Sequence, residues 1–144
     1  ATKAGADAVL DYGAEDLADQ VFAANNGQPV DRIIEVEFGL NIDPDAAVIA
    51  PNGTIAAYGS ATSMTPALSF GPLLFKAVTI DIILIYLLPK PERDAAIALL
   101  HAALAQGALH CRVAQVFPLN DCAAAHQAVE ASTRSRAILL DTTT

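Results

Sequence analysis

Short apolar runs alternate along the chain with longer segments in which apolar residues recur every three or four positions. The short runs predict buried strands, and the longer periodic segments predict amphipathic helices. We predict strands at residues 8–10, 32–36, 54–59, 78–86, 113–117 and 136–140. We predict helices at residues 14–25, 43–50 and 92–106, a loop at 61–71, and a last helix after residue 120.

Glycine, proline and asparagine mark the expected ends of the helices. Gly27 and Gly107 follow two of them and are typical C-terminal stop signals. Pro44 is expected in the first turn of its helix, behind an Asp43 cap. Asn120 is expected to cap the last helix.

The alternation of strands and helices predicts an α/β fold, with a mainly parallel sheet and flanking helices. Ligands of such sheets bind where the strands end at their carboxyl side. The segments to examine are therefore residues 11–12, 36–39, 58–61 and the region around Tyr86.

Composition narrows the possible functions. The 144 residues are 53% apolar, which suits one domain with a real core. Eight basic residues against sixteen acidic ones give a net charge of −8, so no basic patch for nucleic acid is expected. The most apolar stretch, residues 82–88, is far shorter than the ~20 apolar residues that a membrane helix needs. No apolar run opens the sequence, and we expect a cytoplasmic protein.

The cysteines and histidines suggest no metal site. Cys111 and Cys122 fit neither a disulfide framework nor a zinc cluster. His126 shares a predicted helical face with Cys122 and is expected to pack in the core. A G-x-S-x-G nucleophile motif does not occur in the sequence.

Five segments in the same order and spacing resemble the C-terminal part of zinc-free medium-chain dehydrogenases/reductases of the NADPH:quinone oxidoreductase type. They are GADAVLDYGAEDL, VDRIIEVEFG, IAPNGTIAAYGSA, VFPLNDCAAAHQAVEAS and RAILLD. The resemblance implies a two-domain enzyme in which a Rossmann domain binds NADPH, and hydride passes to a quinone or a similar electron-poor acceptor. Residues 1–144 would then be a partial Rossmann domain.

The sequence departs from the family's pattern in one major respect. No G-x-G-x-x-G or A-x-G-G-V-G loop occurs in it. In the family that loop follows the first Rossmann strand and holds the pyrophosphate at a helix N-terminus. We therefore expect the first two strands and the Gly-rich loop to be absent, and the fragment alone to be inactive.

The resemblance places cofactor contacts at two strand ends. It implies that Tyr12 lies against the adenosine end of NADPH and its 2′-phosphate, since a phenol can both stack and donate. It also implies a segment beside the nicotinamide, formed by Tyr58, Gly59, Ser60 and Ala61, whose backbone N–H groups could hold the carboxamide.

Three further positions near the implied cofactor site differ from many relatives. Val36 replaces a polar residue at its strand end, so its contact must be made through the backbone or by apolar packing. Phe38 replaces a glycine. Arg134 could reach the 2′-phosphate, although a solvated charge ahead of the last strand is the alternative. Lys76 is expected to be a surface cation.

The apolar strand between Val78 and Leu88 predicts association. A strand of this composition at a sheet edge would invite aggregation if left free. The resemblance suggests that the same strand of a second subunit pairs with it across a two-fold axis, giving a homodimer. The alternative is that the C-terminal segment covers it within one chain.

Three functions remain open, and the two enzyme functions act on a small-molecule substrate. The chain could be the cofactor-domain portion of an NADPH-dependent quinone-type reductase. It could belong to an enoyl-thioester reductase of the same fold, because fold does not fix substrate. It could also be a non-catalytic oligomerisation or nucleotide-binding remnant.

Overall fold

The computed structural model describes residues 1–109, 112–131 and 136–143. The chain divides into two compact units, Ala1–Arg93 and Asp94–Thr144. The helices are α1 (Leu17–Ala24), α2 (Phe38–Val48), α3 (Phe70–Phe75), α4 (Lys90–Ala105) and α5 (Cys122–Glu130). The strands are β1 (Val30–Glu35), β2 (Ile49–Ala57), β3 (Thr79–Ile82), β4 (Val113–Pro118) and β5 (Ala137–Asp141).

The first unit is built on a three-stranded parallel sheet with β2 in the centre, between β1 and β3. The core lies where α2 and α3 pack on this sheet, and its buried members are Ile42, Ala46, Ile49, Ile55 and Leu73. Helices and strands therefore both contribute apolar residues to the same core. This arrangement fixes the carboxyl ends of β2 and β3 side by side.

A bulge of four residues, at positions 50–53, interrupts the pairing at the start of β2. Val30 pairs with Ile49, but Arg32 pairs with Thr54, so the intervening residues of β2 bulge out of the ladder. Asn52 in this bulge has a φ of 61°, a conformation that asparagine tolerates better than most residues. The turn predicted from Pro-Asn-Gly is present, although it lies within the strand rather than before it.

The second unit contains a β–α–β arrangement. Strands β4 and β5 pair in parallel, with Val116 opposite Leu139. Helix α5 connects them in sequence and packs against both, and Ala125 is its buried residue. Together with the first unit, this confirms the predicted α/β class with short parallel sheets and flanking helices.

The helix ends marked by glycine are largely confirmed. Helix α1 ends at Ala24, and the Gly27 N–H donates to the Phe22 carbonyl oxygen over 2.7 Å. Gly27 and Gly107 have φ values of 76° and 67°, which suits glycine at a helix C-terminus.

The strand predicted at residues 8–10 is wrong. No strand pairs with these residues in the part of the chain that the structure describes, and the Val9 side chain is 60% exposed. A strand needs a neighbour that takes up its hydrogen bonds, so a short apolar run is not sufficient. Directly after this run, the Asp11 carboxylate accepts the Gly13 N–H over 2.9 Å and turns the chain.

The helix predicted at residues 43–50 begins earlier than expected. Phe38 and Ile42 both pack in the core from α2, one turn apart, so the periodic stretch extends towards the N-terminus. Pro44 therefore lies inside the helix instead of in its first turn. Residues 49 and 50 belong to β2.

The long strand predicted at residues 78–86 is wrong in length. Strand β3 has four residues, and its last pair joins Ile82 to Ala57, where β2 also ends. Because no further residues of β2 are available for pairing, the chain leaves the sheet and forms a 3-10 turn at Ile85–Leu87. Helix α3 was not predicted, since its segment overlaps the expected loop.

Two expectations about α5 are also wrong. Asn120 lies in a 3-10 turn at Leu119–Asp121, and the residue that precedes α5 is Asp121, without a side-chain cap bond. His126 is exposed, and the buried position on this helix is its neighbour Ala125. Ala125 is small enough to be buried while the larger side chain of the adjacent His126 stays exposed.

Candidate functional site

A cleft of about 590 Å³ opens where β2 and β3 end at their carboxyl side. This volume is in the range of small-molecule sites, which are mostly apolar with a few polar groups. Its walls come from the end of β2, the end of β3, the start of α2 and the loop that follows β2. The lining residues are Phe38, Ala57, Tyr58, Gly59, Ser60, Met64, Pro66, Ile82, Ile83 and Leu84.

The end of β2 approaches the end of β1 very closely at Gly59. The Tyr58 N–H donates to the Glu35 carbonyl oxygen over 2.9 Å, and the Phe38 N–H donates to the Gly59 carbonyl oxygen over 3.0 Å. A Cβ atom on residue 59 would overlap the carbonyl oxygen of Val36. Only glycine therefore allows this approach.

Ser60 joins the loop after β2 to the first turn of α2. Its hydroxyl oxygen accepts the Gly39 N–H over 2.8 Å, and its hydroxyl donates to the Ser63 carbonyl oxygen. A Cβ atom on residue 39 would overlap that same Ser63 oxygen. The pairing of a small residue on α2 with a hydroxyl on the loop thus sets the distance between the two segments.

Glu37 makes a second link between these segments. One of its carboxylate oxygens accepts the Thr62 N–H over 2.8 Å, and the other accepts the Ala61 N–H over 3.2 Å. Hydrogen bonds to a charged acceptor are about twice as strong as those between neutral groups. The carboxylate therefore anchors the loop at two consecutive amides.

Beneath this contact lies a buried carboxyl pair formed by Glu35 on β1 and Asp45 on α2. Glu35 accepts hydrogen bonds from the Asn41 amide and from the Glu37 N–H. Burial, followed by the charge of Glu35 and a hydrogen bond to it, raises the pKa of Asp45 to about 7. Protonation of Asp45 near neutral pH keeps two like charges from facing each other in the core.

Comparison with known proteins gives the family. The sequence profile described as "Zinc-binding dehydrogenase" matches residues 4–135, which is most of the chain. The chain belongs to the zinc-binding dehydrogenase family. The resemblance to medium-chain dehydrogenases/reductases is thereby confirmed.

Individual family members agree with this assignment. A 2-haloacrylate reductase from Burkholderia sp is 28% identical over 131 residues, or 88% of this chain and 39% of its own length. A mycobacterial quinone oxidoreductase is 27% identical, with a TM-score of 0.84 over 97% of this chain and 44% of its own. A mycobacterial protein complexed with NADPH is 26% identical, with a TM-score of 0.76 over 96% of this chain and 45% of its own. The chain thus spans less than half the length of these relatives.

Several predicted cofactor residues lie together at the cleft. Tyr58, Gly59 and Ser60 line it, and Val36 lies against Gly59 through its backbone carbonyl group. Ala61 follows Ser60 in the sequence, but its N–H already donates to the Glu37 carboxylate. The Tyr58 N–H likewise already donates to the backbone carbonyl oxygen of Glu35. Two of the amides expected to face a carboxamide are therefore engaged within the protein.

The residues predicted for the adenosine end are not brought to this cleft. Tyr12 lies in the turn after Asp11 and is 89% exposed. Arg134 lies outside the described residues. Tyr86, in the region that the fold rule singled out, is 85% exposed and is not among the lining residues.

Lys76 has a different role from the expected surface cation. Its ammonium group donates to the carbonyl oxygens of Ala46 and Ala47 over 2.7 and 2.9 Å, at the end of α2. A cation at a helix C-terminus satisfies free carbonyl groups and complements the helix dipole. Lys76 is therefore already committed within the fold and does not fit a phosphate site.

Sequence reasoning placed Phe38 near the implied cofactor site without assigning it to a wall of the cleft, and it missed Glu37 as the anchor of the loop. The segment Ile-Glu-Val-Glu-Phe-Gly did contain a signal, because two carboxylates spaced by two residues follow an apolar strand. Acids at such a position need partners if they are buried. The partners of Glu37, which are the amides of residues 61 and 62, are distant in sequence and carry no local mark.

Among residues 1–109, 112–131 and 136–143, no group of three or more His, Cys, Asp or Glu side chains could hold a metal ion. No helix in the same part of the chain is long and apolar enough to cross a membrane.

Proposed function

We propose that this chain is the cofactor-domain portion of an NADPH-dependent oxidoreductase that transfers hydride to a quinone or a similar electron-poor acceptor. The observation that carries the proposal is the apolar cleft at the carboxyl ends of β2 and β3. Open α/β sheets bind nucleotide ligands at this edge. The family membership and the oxidoreductase relatives support the same function.

The cleft fits the nicotinamide end of the cofactor better than its phosphate end. Its walls are apolar, with the Ser60 hydroxyl and backbone groups as polar elements, which suits an uncharged aromatic ring. When bound, NADPH would supply the hydride. Phe38, Gly59 and Ile83 would bind and orient the ring. The apolar side chains of Phe38 and Ile83, together with the close backbone at Gly59, would exclude water from it.

The choice of NADPH rests on two supports. A family member that is 26% identical was solved as a complex with NADPH. Tyr12 and Arg134 also have side chains that could bind the 2′-phosphate, by donation from the phenol and by a bidentate guanidinium contact. In the proposal, Tyr12 and Arg134 would bind the adenosine end of an extended cofactor, and the cleft would take its nicotinamide end.

The experiment is a comparison of kcat/KM for NADPH and NADH with a small quinone, using the intact protein that contains this chain. We expect NADPH to be preferred, and the Tyr12→Ala variant to lose activity with NADPH more than with NADH. Phe75→Ala is the matched control, because Phe75 is an aromatic residue that is 89% exposed, as Tyr12 is, and lies outside the cleft lining. Equal losses with both cofactors would remove Tyr12 from the proposed phosphate site, and no turnover with either would defeat the function.

A second candidate substrate is an electron-poor alkene. The relative from Burkholderia sp is a 2-haloacrylate reductase, and its substrate carries a C=C bond conjugated to a carboxylate. An enoyl thioester has the same conjugated arrangement, and hydride delivery would again occur at the alkene carbon. Assays of the intact protein with 2-chloroacrylate, an enoyl thioester and a quinone, at equal NADPH, would rank these acceptors.

We also propose that the protein acts as a homodimer through the segment from Val78 to Leu88. Strand β3 lies at the edge of its sheet in the described part of the chain. Ile82 and Ile85 expose 81% and 64% of their surface there. An apolar strand edge of this kind is suited to pairing with a second copy of itself.

A further inference from the structure

The loop after β2 forms one wall of the cleft but belongs to no regular element. We call residues 60–66 the wall loop. Within it, Ser60, Met64 and Pro66 line the cleft, while residues 61–69 lie outside every helix and strand. Its position therefore depends on contacts with neighbouring segments, since it lacks a ladder or helix of its own hydrogen bonds.

Glu37 supplies the charged contact in this set. It is half-buried at the start of α2, one residue before Phe38, which is another wall of the cleft. Each carboxylate oxygen accepts one amide of the wall loop, from Ala61 and Thr62. The spacing of two acceptors on one rigid group matches two consecutive amides, so this contact restricts the orientation of the loop as well as its distance.

The position of Glu37 is itself fixed from below. Its own N–H donates to the buried carboxylate of Glu35, and the adjacent Phe38 N–H donates to the Gly59 carbonyl oxygen over 3.0 Å. The backbone of Glu37 therefore belongs to the sheet end, while its side chain reaches the wall loop. Glu37 is thus held by the sheet end through its backbone and binds the wall loop through its side chain. The geometry of the core therefore determines the position of this wall of the cleft.

We propose that Glu37 is a positioning residue whose carboxylate holds the wall loop against the end of β1 and so maintains one wall of the cleft. Glu37 does not line the cleft, and its effect on a ligand is exerted through the loop. The consequence for cofactor binding rests on the function proposed above. The carboxylate must be ionised for the full effect, because a neutral side chain accepts weaker hydrogen bonds.

The contact can be tested by NMR on the purified intact protein that contains this chain. In Glu37→Gln, the amide proton resonances of Ala61 and Thr62 should both move from their wild-type positions. Exchange of the two amides should also become about tenfold faster in this variant, because only one neutral acceptor oxygen remains. The amide of Ile55 in β2 serves as an internal reference for global unfolding.

Two further variants separate positioning from a general loss of structure. Glu37→Asp keeps the charge on a shorter side chain and should restore part of the protection of the two amides. Glu15→Gln is the matched control, since Glu15 is exposed and far in sequence from the wall loop, and it should change neither amide. If Glu37→Gln fails to fold, the aspartate variant still decides, because it should fold and show intermediate exchange.

The second measurement is the dissociation constant for NADPH in the same four proteins, from the change in cofactor fluorescence. We expect it to rise about tenfold in Glu37→Gln and less in Glu37→Asp. Amides that respond in an intact protein that binds no NADPH would uphold the positioning role and defeat the proposed function. Normal NADPH binding with unresponsive amides would overturn the positioning role and leave the function standing. Responsive amides with unchanged NADPH affinity would overturn the claim that this wall contributes to binding.

Discussion

Asp45 on α2 faces Glu35 on β1, and the two carboxyl groups are 8% and 6% exposed. The Oδ2 atom of Asp45 has no hydrogen-bond partner among the described residues. Burial in the first place, and then the charge of Glu35, raises the pKa of Asp45 from 3.8 to about 7. The pair therefore favours a state in which Asp45 carries a proton and Glu35 carries the charge.

This pair predicts that the chain loses stability as the pH rises. Between pH 3.8 and about 7 the folded state retains a proton on Asp45 that the unfolded chain has released. The free energy of unfolding should therefore fall across this window and level off above it, by roughly 2–4 kcal/mol from this group. Urea unfolding at intervals from pH 4.5 to 8 measures the effect.

Asp45→Asn isolates this contribution from the repulsion between the many surface acids. The amide stays neutral at every pH and can still donate to Glu35, so the difference in unfolding free energy between the variant and the wild type should grow up to about pH 7. Asp43→Asn is the control on the same helix, because Asp43 is exposed. A pH-independent difference for Asp45→Asn would contradict the assignment.

Gly59→Ala should be strongly destabilising. The added methyl group would overlap the Val36 carbonyl oxygen, so the ends of β1 and β2 must separate. Overpacking at such a contact costs about 1–3 kcal/mol. Gly71→Ala in α3 is the control, because nothing lies within 4 Å of its Cβ position, and alanine there should be neutral or stabilising by about 0.5–1 kcal/mol. Thermal unfolding of both variants would settle the matter, and equal melting temperatures would refute the close approach.

Lys76→Met should destabilise the end of α2. The substitution keeps most of the aliphatic side chain but removes the ammonium group that binds the carbonyl oxygens of Ala46 and Ala47. A partly buried charged hydrogen bond at a helix C-terminus contributes about 1–2 kcal/mol. Lys3→Met, at an exposed position, is the control. Urea midpoints that shift equally in both variants would show that Lys76 contributes only its charge.

The sequence allowed the fold class to be predicted because its signals are local. Glycine after α1 and α4, and apolar runs at β1, β2, β4 and β5, each act within a few residues. Element bounds failed where a distant segment decides them. Strand β3 stops at Ile82 because β2 ends at Ala57, and no pattern within residues 78–86 contains that information.

The candidate site was predictable in part for the same reason. The strand-end position of Tyr58, Gly59 and Ser60 follows from the general rule that α/β sheets bind ligands at their carboxyl edge. The anchoring of the wall loop by Glu37 depends on contacts across 24 and 25 residues of sequence. Lys76 likewise binds carbonyl groups about 30 residues away. Contacts of this range arise only once the chain has folded.

The exposed apolar edge at β3 predicts self-association that lysine substitution should abolish. Ile82 and Ile85 are largely exposed, and a positive charge at each would repel its counterpart across a two-fold axis and would block strand pairing. We expect sedimentation at micromolar concentration to show a dimer for the wild type and a folded monomer for the double variant Ile82→Lys, Ile85→Lys. Val9→Lys with Leu99→Lys is the control, since Val9 and Leu99 are 60% and 72% exposed and lie outside the segment from Val78 to Leu88. A wild-type monomer, or a dimer that survives the β3 substitutions, would rule out pairing through this edge.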